Sequence, residues 1–190
     1  MSGAHRYLIA LGSNKRHGRF GLPERVLVEA AEQLAQLGEV EAVAPVLASA
    51  PVGPSQRRYA NGAVVLAAPL TPPEILAALK ALENAFGRKA GGQRWGARVL
   101  DCDIVLWDGG KWQDRTLAIP HPAFRQRQFV LAPAAAIAAG WRDPVTGLRI
   151  RHLQARLTKP RPILRWALPK PGEARPSRAK PIKVCGPLAQ

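Results

Sequence analysis

Two aspartates inside an apolar strand constrain this chain more than any other feature. Residues 99–107 read Val-Leu-Asp-Cys-Asp-Ile-Val-Leu-Trp, so the carboxylates of Asp101 and Asp103 interrupt an otherwise apolar run. Because side chains alternate along a strand, both carboxylates point to one face, and Cys102 and Ile104 point to the other. Two neighbouring carboxylates repel each other, and burial raises the pKa of at least one of them. The pattern favours a hard divalent cation held by oxygen ligands.

A basic loop that is rich in glycine leads into this strand. Glycine allows the backbone to close over a ligand, and guanidinium groups offer planar donors to phosphate oxygens. Carboxylates, a cation and arginines are the parts needed for metal-assisted phosphoryl transfer. An Asp-x-Asp pair alone is more often a solvated strand end or a salt-bridge partner, but the adjacent loop favours the functional interpretation. The loop contains Gly87, Arg88, Lys89, Gly91, Gly92, Arg94, Gly96 and Arg98.

Composition predicts one globular domain, residues 1–158, and a basic tail, residues 159–190. The chain has 190 residues, 47% of them hydrophobic, and a formal net charge of +15. Residues 151–190 hold ten of the 28 Lys and Arg residues but one of the 13 acids, and the tail contains seven prolines in no periodic pattern. Such a segment is predicted to be disordered. The domain itself carries a modest positive charge, which suits a small anionic ligand.

The chain has none of the sequence signals of membrane insertion or export. Its longest apolar runs fall short of the roughly 18 residues that cross a bilayer, and the N-terminus lacks the apolar core of a signal peptide. We therefore predict a cytoplasmic protein without a membrane partner. Cys102 and Cys185 have no neighbouring His or Cys, so neither a disulfide framework nor a zinc site is expected. No exposed apolar stripe requires a partner, and we predict a monomer.

The remaining patterns predict an antiparallel sheet with helices on one face, an α+β fold. Apolar runs bounded by turn residues predict strands, whereas apolar residues at helical spacing after a proline or a capping threonine predict helices. The predicted strands are residues 7–11, 39–48 with a break at Pro45, 59–66 and the Asp101 strand, with a short extended segment at 117–122. The predicted helices are residues 23–37, 72–86 and 133–139, followed by a short coda at 152–157.

Tyr59 and Asn61 share one face of a predicted strand. The aromatic ring can stack on a flat heterocycle, and the amide offers both a donor and an acceptor to its edge. A half-buried tyrosine beside an asparagine near a strand end is the simpler interpretation of these two residues alone.

Four other polar residues have less certain surroundings. Glu83 flanks the apolar stripe of the second helix and is either exposed or a partner of the nearby arginines. His17 has no partner at catalytic or metal-binding spacing, so we expect it to face solvent. Arg125 and Arg127 alternate with Phe129, and we expect both arginines to be solvent-facing.

Seven separated motifs together resemble the 6-hydroxymethyl-7,8-dihydropterin pyrophosphokinase family of folate biosynthesis. The resemblance covers about residues 6–157 in the family's order. The motifs are Gly12-Ser13-Asn14, Pro51-Val52-Gly53-Pro54, Tyr59-x-Asn61, Gly87-Arg88, Arg94-Trp95-Gly96-x-Arg98-x-Leu100-Asp101-x-Asp103, Pro120-His121 and Arg127-x-Phe129.

The resemblance implies a ferredoxin-like α+β fold and a specific reaction. The expected enzyme transfers pyrophosphate from ATP to the hydroxymethyl group of the pterin and releases AMP. Two Mg²⁺ ions would be held by Asp101 and Asp103. The implied catalytic residues are Arg88, Arg94, Arg98, Asp101 and Asp103. The implied pterin-binding residues are Ser49, Val52, Gly53, Tyr59, Asn61, Trp95 and Phe129, and the implied nucleotide-binding residues are Glu83, Ile104, His121 and Arg127.

Three positions depart from the family pattern, and two alternative functions stay open. Residues 15–21 are more basic than the family pattern, Ala90 replaces a common arginine, and Pro122 follows His121. The altered loop leaves open a paralogue that uses a different alcohol acceptor. The net charge leaves open a nucleic-acid-binding protein on the same scaffold, although paired carboxylates would repel a phosphate backbone.

Overall fold

The structure, a computed structural model, describes residues 3–49, 58–88 and 98–159. The compact unit that contains them ends at Lys159. Most of the predicted tail lies outside the described residues, as do Val52, Gly53, Arg94 and Trp95. None of the helices in the described ranges is long and apolar enough to cross a bilayer.

A five-stranded antiparallel sheet forms the centre of the domain. Strand β1 (His5–Ser13) pairs on one side with β4 (Tyr59–Ala68) and on the other with β5 (Asp101–Trp107). The outer side of β4 pairs with both β2 (Glu39–Val43) and β3 (Leu47–Ser49), so the order is β2-β4-β1-β5 with β3 beside β4. The predicted break at Pro45 is confirmed, because this residue separates β2 from β3.

The register of β1 with β4 and β5 determines which of their residues lie next to each other. Gly12, near the end of β1, lies opposite Asn61 on β4 and opposite Asp101 on β5. The strand therefore holds the predicted pterin-binding amide and a predicted metal ligand on its two sides, although 40 positions separate them in the chain.

Two helices cover one face of the sheet. Helix α1 (Pro23–Leu34) and helix α2 (Pro72–Ala85) pack on the side chains of Tyr7, Ile9 and Leu11. Both helices have proline in their first turn, as predicted. Helix α1 ends three residues before the predicted Leu37, since the following residues close tighter turns in which each N–H bonds to the carbonyl three residues earlier.

Two further helices cover the opposite face, so the prediction of helices on one face is wrong. Helix α3 (Gln128–Ala138) and helix α4 (Ile150–Thr158) pack on Leu8 and Ala10. Residues 7–11 form an unbroken apolar run that presents apolar side chains to both faces, and both must be covered.

Helix α3 also begins five residues before the predicted start at Pro133, which lies inside it. Burial of Val130, Leu131 and Ala134 against the sheet outweighs the helix-breaking tendency of that proline. The segment predicted as a coda is the nine-residue helix α4.

Two other predictions about exposed residues are wrong. The ring of His17 stacks on Phe20 with a centroid distance of 4.7 Å, and its Nδ1 accepts backbone hydrogen bonds from Arg19 and Phe20. Arg125, in a 3₁₀ helix (Phe124–Gln126), is half-buried, because its guanidinium pairs with Asp143. Beyond β5 follow the short strands β6 (Trp112–Gln113) and β7 (Ala118–Ile119), which pair with each other.

Asp143 is a fully buried carboxylate that anchors the connection between α3 and α4. Its two oxygens accept hydrogen bonds from Arg125 Nε at 2.7 Å and from Arg125 Nη2 at 2.6 Å. The Thr146 hydroxyl donates at 2.5 Å and the Val145 N–H at 3.1 Å. Burial by itself would raise the pKa of Asp143, but these donors outweigh burial and lower the pKa to about 2.

We predict that Asp143 makes the stability of the domain sensitive to acid. Its folded-state pKa of about 2 lies below the ordinary value of 3.8, so its stabilisation is complete above pH 3.8 and is lost as the pH falls through 2. Urea unfolding should show that the free energy of unfolding of the wild type exceeds that of Asp143→Asn at pH 5, and that this difference shrinks by about 2 kcal/mol between pH 5 and pH 2. A gap that stays constant over this range would contradict the assignment.

Gly38 allows the chain to pass close to β4 between α1 and β2. A Cβ atom there would lie 2.1 Å from the carbonyl oxygen of Ala67, which real Cβ atoms do not approach. We predict that Gly38→Ala lowers the free energy of unfolding by roughly 1–3 kcal/mol, because backbone atoms must shift. Gly140→Ala is the control, since a Cβ there meets nothing within 4 Å. Equal urea midpoints for the two variants would refute this prediction.

Candidate active site

A cavity of about 310 Å³ lies where β1 ends and β4 and β5 begin, beside the start of α3. Its lining includes residues 10–14, at the end of β1 and directly after it. The site residues that the sequence predicted and that line this cavity are Ser49, Tyr59, Asn61, Arg98, Asp101, Asp103, His121, Arg127 and Phe129.

The two aspartates of β5 both line the cavity, which confirms that they share a face. Cys102 and Ile104 are buried on the opposite face, 6% and 3% exposed. Asp101 is paired with the guanidinium of Arg98, and Arg88 Nη1 lies 3.5 Å from its Oδ1. The cationic neighbours of Asp101 are therefore the two arginines that flank the undescribed residues 89–97.

Asp103 faces two residues from the segment between β7 and α3. Its Oδ2 lies 3.8 Å from His121 Nε2 and 3.9 Å from Arg127 Nη1. The prediction that Arg127 faces solvent is therefore wrong, since its guanidinium reaches the cavity. His121 Nδ1 accepts the N–H of Ala123 at 3.2 Å, so the proton of the neutral ring lies on Nε2 and faces the carboxylate.

The charges of the site shift several pKa values. Burial raises the pKa of Asp103, and the charge of Asp101 raises it further. Burial lowers the pKa of His121, against the pull of Asp103, and so favours the neutral ring. Burial alone would lower the pKa of Arg98, but the adjacent Asp101 carboxylate outweighs it and raises the pKa. The guanidinium of Arg98 therefore stays charged.

The donor set suits a magnesium ion that is shared with a substrate. Asp101 and Asp103 place two carboxylates on one cavity wall, and their mutual repulsion is relieved by a divalent cation. Among the described residues no group of three or more His, Cys, Asp and Glu side chains could hold a metal. Magnesium commonly binds through one or two carboxylates and completes its shell with water and substrate phosphates.

Two aromatic rings and an amide also line the cavity. Tyr59 begins β4, and Phe129 lies in the first turn of α3, where the guanidinium carbon of Arg127 is 5.8 Å from its ring centroid. Asn61 is buried, and its Nδ2 donates to Ser49 Oγ at 2.9 Å and towards the carbonyl of Leu47 at 3.4 Å. Strand β3 thereby fixes the orientation of the Asn61 amide.

Glu83, Arg88 and Ile104 are described but do not line the cavity. Ile104 belongs to the core beneath β5. Glu83 is 3% exposed, pairs with Arg88 and accepts the N–H of Cys102 at 2.8 Å. The sequence left open whether Glu83 is exposed or a partner of the nearby arginines, and in the structure it is buried and paired with Arg88.

Asn14 belongs to the first of the seven family motifs, but the sequence assigned it no individual role. It is 2% exposed and lines the cavity. Its Oδ1 accepts the N–H of Arg98 at 2.7 Å, and its own N–H donates to the carbonyl of Arg98 at 3.1 Å. The signal available in the sequence was a polar residue directly after a buried strand. The hydrogen bonds between Asn14 and the backbone of Arg98 are seen only in the structure.

Comparison with known proteins gives one consistent family. The family model for 7,8-dihydro-6-hydroxymethylpterin-pyrophosphokinase matches residues 8–139. The 2-amino-4-hydroxy-6-hydroxymethyldihydropteridine pyrophosphokinase of Pseudomonas aeruginosa is 38% identical over 140 residues, which are 73% of this chain and 84% of that protein. The Bacillus subtilis enzyme of the same name is 37% identical over 132 residues, 68% of this chain and 75% of its own.

Other relatives align over a smaller share of their own length. The Synechocystis enzyme of the same name is 42% identical over 115 residues, which are 60% of this chain and 58% of that protein. Among solved structures, Plasmodium falciparum HPPK-DHPS superposes with a TM-score of 0.63 at 12% identity, over 82% of this chain and 44% of that one. At this identity the likeness supports the fold, and it agrees with the predicted α+β class.

The family model covers more than half of the chain, and the Pseudomonas and Bacillus relatives exceed 30% identity over more than two thirds of it. The chain therefore belongs to the 7,8-dihydro-6-hydroxymethylpterin-pyrophosphokinase family, a family of diphosphotransferases in folate synthesis.

Proposed function

We propose that this chain transfers pyrophosphate from ATP to the hydroxymethyl group of 6-hydroxymethyl-7,8-dihydropterin, releases AMP and requires two Mg²⁺ ions. The observation that carries the proposal is one cavity lined by two aromatic rings and an amide together with two carboxylates and two guanidinium groups. The rings and the amide suit a flat heterocycle with a polar edge, and the carboxylates and guanidinium groups suit a metal-bound polyphosphate.

The pterin occupies the aromatic side in this proposal. Its ring stacks between Tyr59 and Phe129, and Asn61 binds its edge. Because the Asn61 nitrogen is engaged with β3, the amide oxygen is the atom that accepts from a pterin N–H. Ser49 then acts through Asn61 by fixing that orientation. The contacts predicted for Val52, Gly53 and Trp95 lie outside the described residues and stay predictions.

The triphosphate occupies the charged side. Arg98 and Arg127 donate to phosphate oxygens, and the Nε2–H of His121 adds a neutral donor. Arg88 and the undescribed Arg94 are proposed to complete this set. Asp101 and Asp103 would hold Mg²⁺, which when bound neutralises phosphate charge and orients the phosphate oxygens.

The residues of the chain contribute alignment and charge, and no protein nucleophile is required. The pterin hydroxyl oxygen forms a bond to the β-phosphorus, the bond from that phosphorus to the oxygen bridging to the α-phosphate breaks, and AMP leaves with this oxygen. The hydroxyl proton passes to solvent water as the new bond forms. Such a transfer depends on in-line positioning and on stabilising charge on the transferring group.

We further propose that the protein acts as a cytoplasmic monomer whose ligands are ATP and the pterin alcohol. Asp101 and Asp103 line the cavity and would repel a phosphate backbone unless a metal intervened, so nucleic acid is not part of this proposal. The nucleotide roles of Glu83 and Ile104 stay predictions, because neither residue lines the cavity.

Replacing Asp103 should abolish the reaction. We predict that Asp103→Ala lowers pterin-dependent AMP release by at least about 100-fold, since a charge-stabilising group of the transition state is lost. The measurement is AMP formation from ATP at saturating Mg²⁺, with and without the pterin. Asp108→Ala is the matched control, because Asp108 follows the same strand at its far end and its side chain is 40% exposed, as is that of Asp103.

The outcomes of this assay separate the alternatives. Wild-type AMP release by Asp103→Ala would overturn the proposed metal role. Wild-type protein that binds Mg²⁺ and ATP but forms no AMP with this pterin would instead direct attention to another alcohol acceptor.

Phe129→Leu should weaken pterin binding selectively. Leucine keeps an apolar side chain but removes the ring that stacks, and an aromatic pair contributes about 0.5–1.5 kcal/mol beyond burial. We predict a two- to tenfold rise in the pterin dissociation constant with an unchanged ATP dissociation constant, both measured by calorimetry. Equal weakening of both ligands would indicate a general disturbance of α3 instead.

A further inference from the structure

Glu83 is a buried acid next to the cavity that the proposed reaction does not use. It lies in the last turn of α2, 3% exposed, on the side of the helix that faces β5. Its Oε1 accepts the backbone N–H of Cys102 at 2.8 Å. Cys102 is the residue between Asp101 and Asp103, so one carboxylate oxygen is bonded to the backbone midway between the two proposed metal ligands.

The position of β5 explains why a side chain is needed there. In the described part of the chain the sheet ends at β5, which pairs with β1 on its inner side. An edge strand has backbone N–H groups on its outer side without a partner strand, and a buried N–H without an acceptor is costly. Glu83 supplies that acceptor and ties β5 to α2.

The second oxygen of Glu83 extends this contact to the charges of the cavity. It pairs with the guanidinium of Arg88, whose Nη1 also lies 3.5 Å from Asp101 Oδ1. A single buried carboxylate thus fixes both the backbone between the aspartates and a cation beside one of them. Because a buried charge without its partner is strongly destabilising, Glu83 and Arg88 depend on each other.

We propose that Glu83 is a positioning residue that sets the spacing and direction of the Asp101 and Asp103 carboxylates for a divalent cation. The inference rests on the proposed function for the cation itself. Groups that orient metal ligands without touching the metal commonly change its affinity 10- to 100-fold when they are removed.

A purely structural acid and a positioning acid differ in what their loss changes. Loss of a structural group weakens folding and leaves the cation affinity of the folded protein unchanged. Loss of a positioning group weakens cation binding beyond any effect on folding. Leu79 provides the comparison, since it lies one helical turn earlier on α2 and is 1% exposed in the core.

The test measures Mn²⁺ binding to the full chain with one equivalent of a non-hydrolysable ATP analogue and no pterin, from the electron paramagnetic resonance signal of free Mn²⁺. Urea unfolding of each variant is recorded in parallel. We expect Glu83→Ala to raise the Mn²⁺ dissociation constant about 10- to 100-fold. Leu79→Ala should lower the urea midpoint while keeping Mn²⁺ affinity within about twofold of wild type, because it changes packing only.

Glu83→Gln separates the two contacts and also serves if Glu83→Ala does not fold. Its amide oxygen still accepts the Cys102 N–H, so we expect Mn²⁺ affinity between wild type and Glu83→Ala. Folded Glu83 variants that bind Mn²⁺ as wild type does would overturn the inference and leave the proposed reaction standing. Wild-type protein that binds Mn²⁺ no better than Asp103→Ala would instead overturn the metal site on which both depend.

Discussion

The pairing of β1 with a strand on each side is the constraint on which the site depends. Gly12 is the common neighbour of Asn61 and Asp101, so the ladder of backbone hydrogen bonds sets how far the amide lies from the carboxylates. A slip of one residue in either ladder would turn every side chain of that strand to the other face. Burial of apolar residues on both faces of β1 makes such a slip costly, and the core thereby holds the geometry of the site.

Charge around the two aspartates is distributed among segments that are distant in the chain. Asp101 pairs with Arg98, which precedes β5, and lies near Arg88, which follows α2. Asp103 faces His121 and Arg127, which lie in the segment before α3. The two carboxylates therefore depend on different parts of the fold for their cationic neighbours.

Local patterns were informative where a single element decided the outcome. Alternation along β5 predicted that Asp101 and Asp103 share a face, and the apolar spacing of α1 and α2 predicted both helices. Local patterns misled where packing opposed propensity. Pro133 was predicted to begin the third helix, but the sheet stabilises α3 from five residues earlier with the proline inside it. Arg125 looked solvent-facing because its partner Asp143 lies 18 positions away.

The sequence by itself determined the residue types of the site, the family resemblance and the face on which the β5 carboxylates lie, because these depend on order and on a two-residue period. Tertiary structure alone decided that Asn14 holds the backbone of Arg98 and that Glu83 bonds to Cys102. Those contacts join residues 84 and 19 positions apart. No local period encodes such pairings, since they exist only once sheet and helices have packed together.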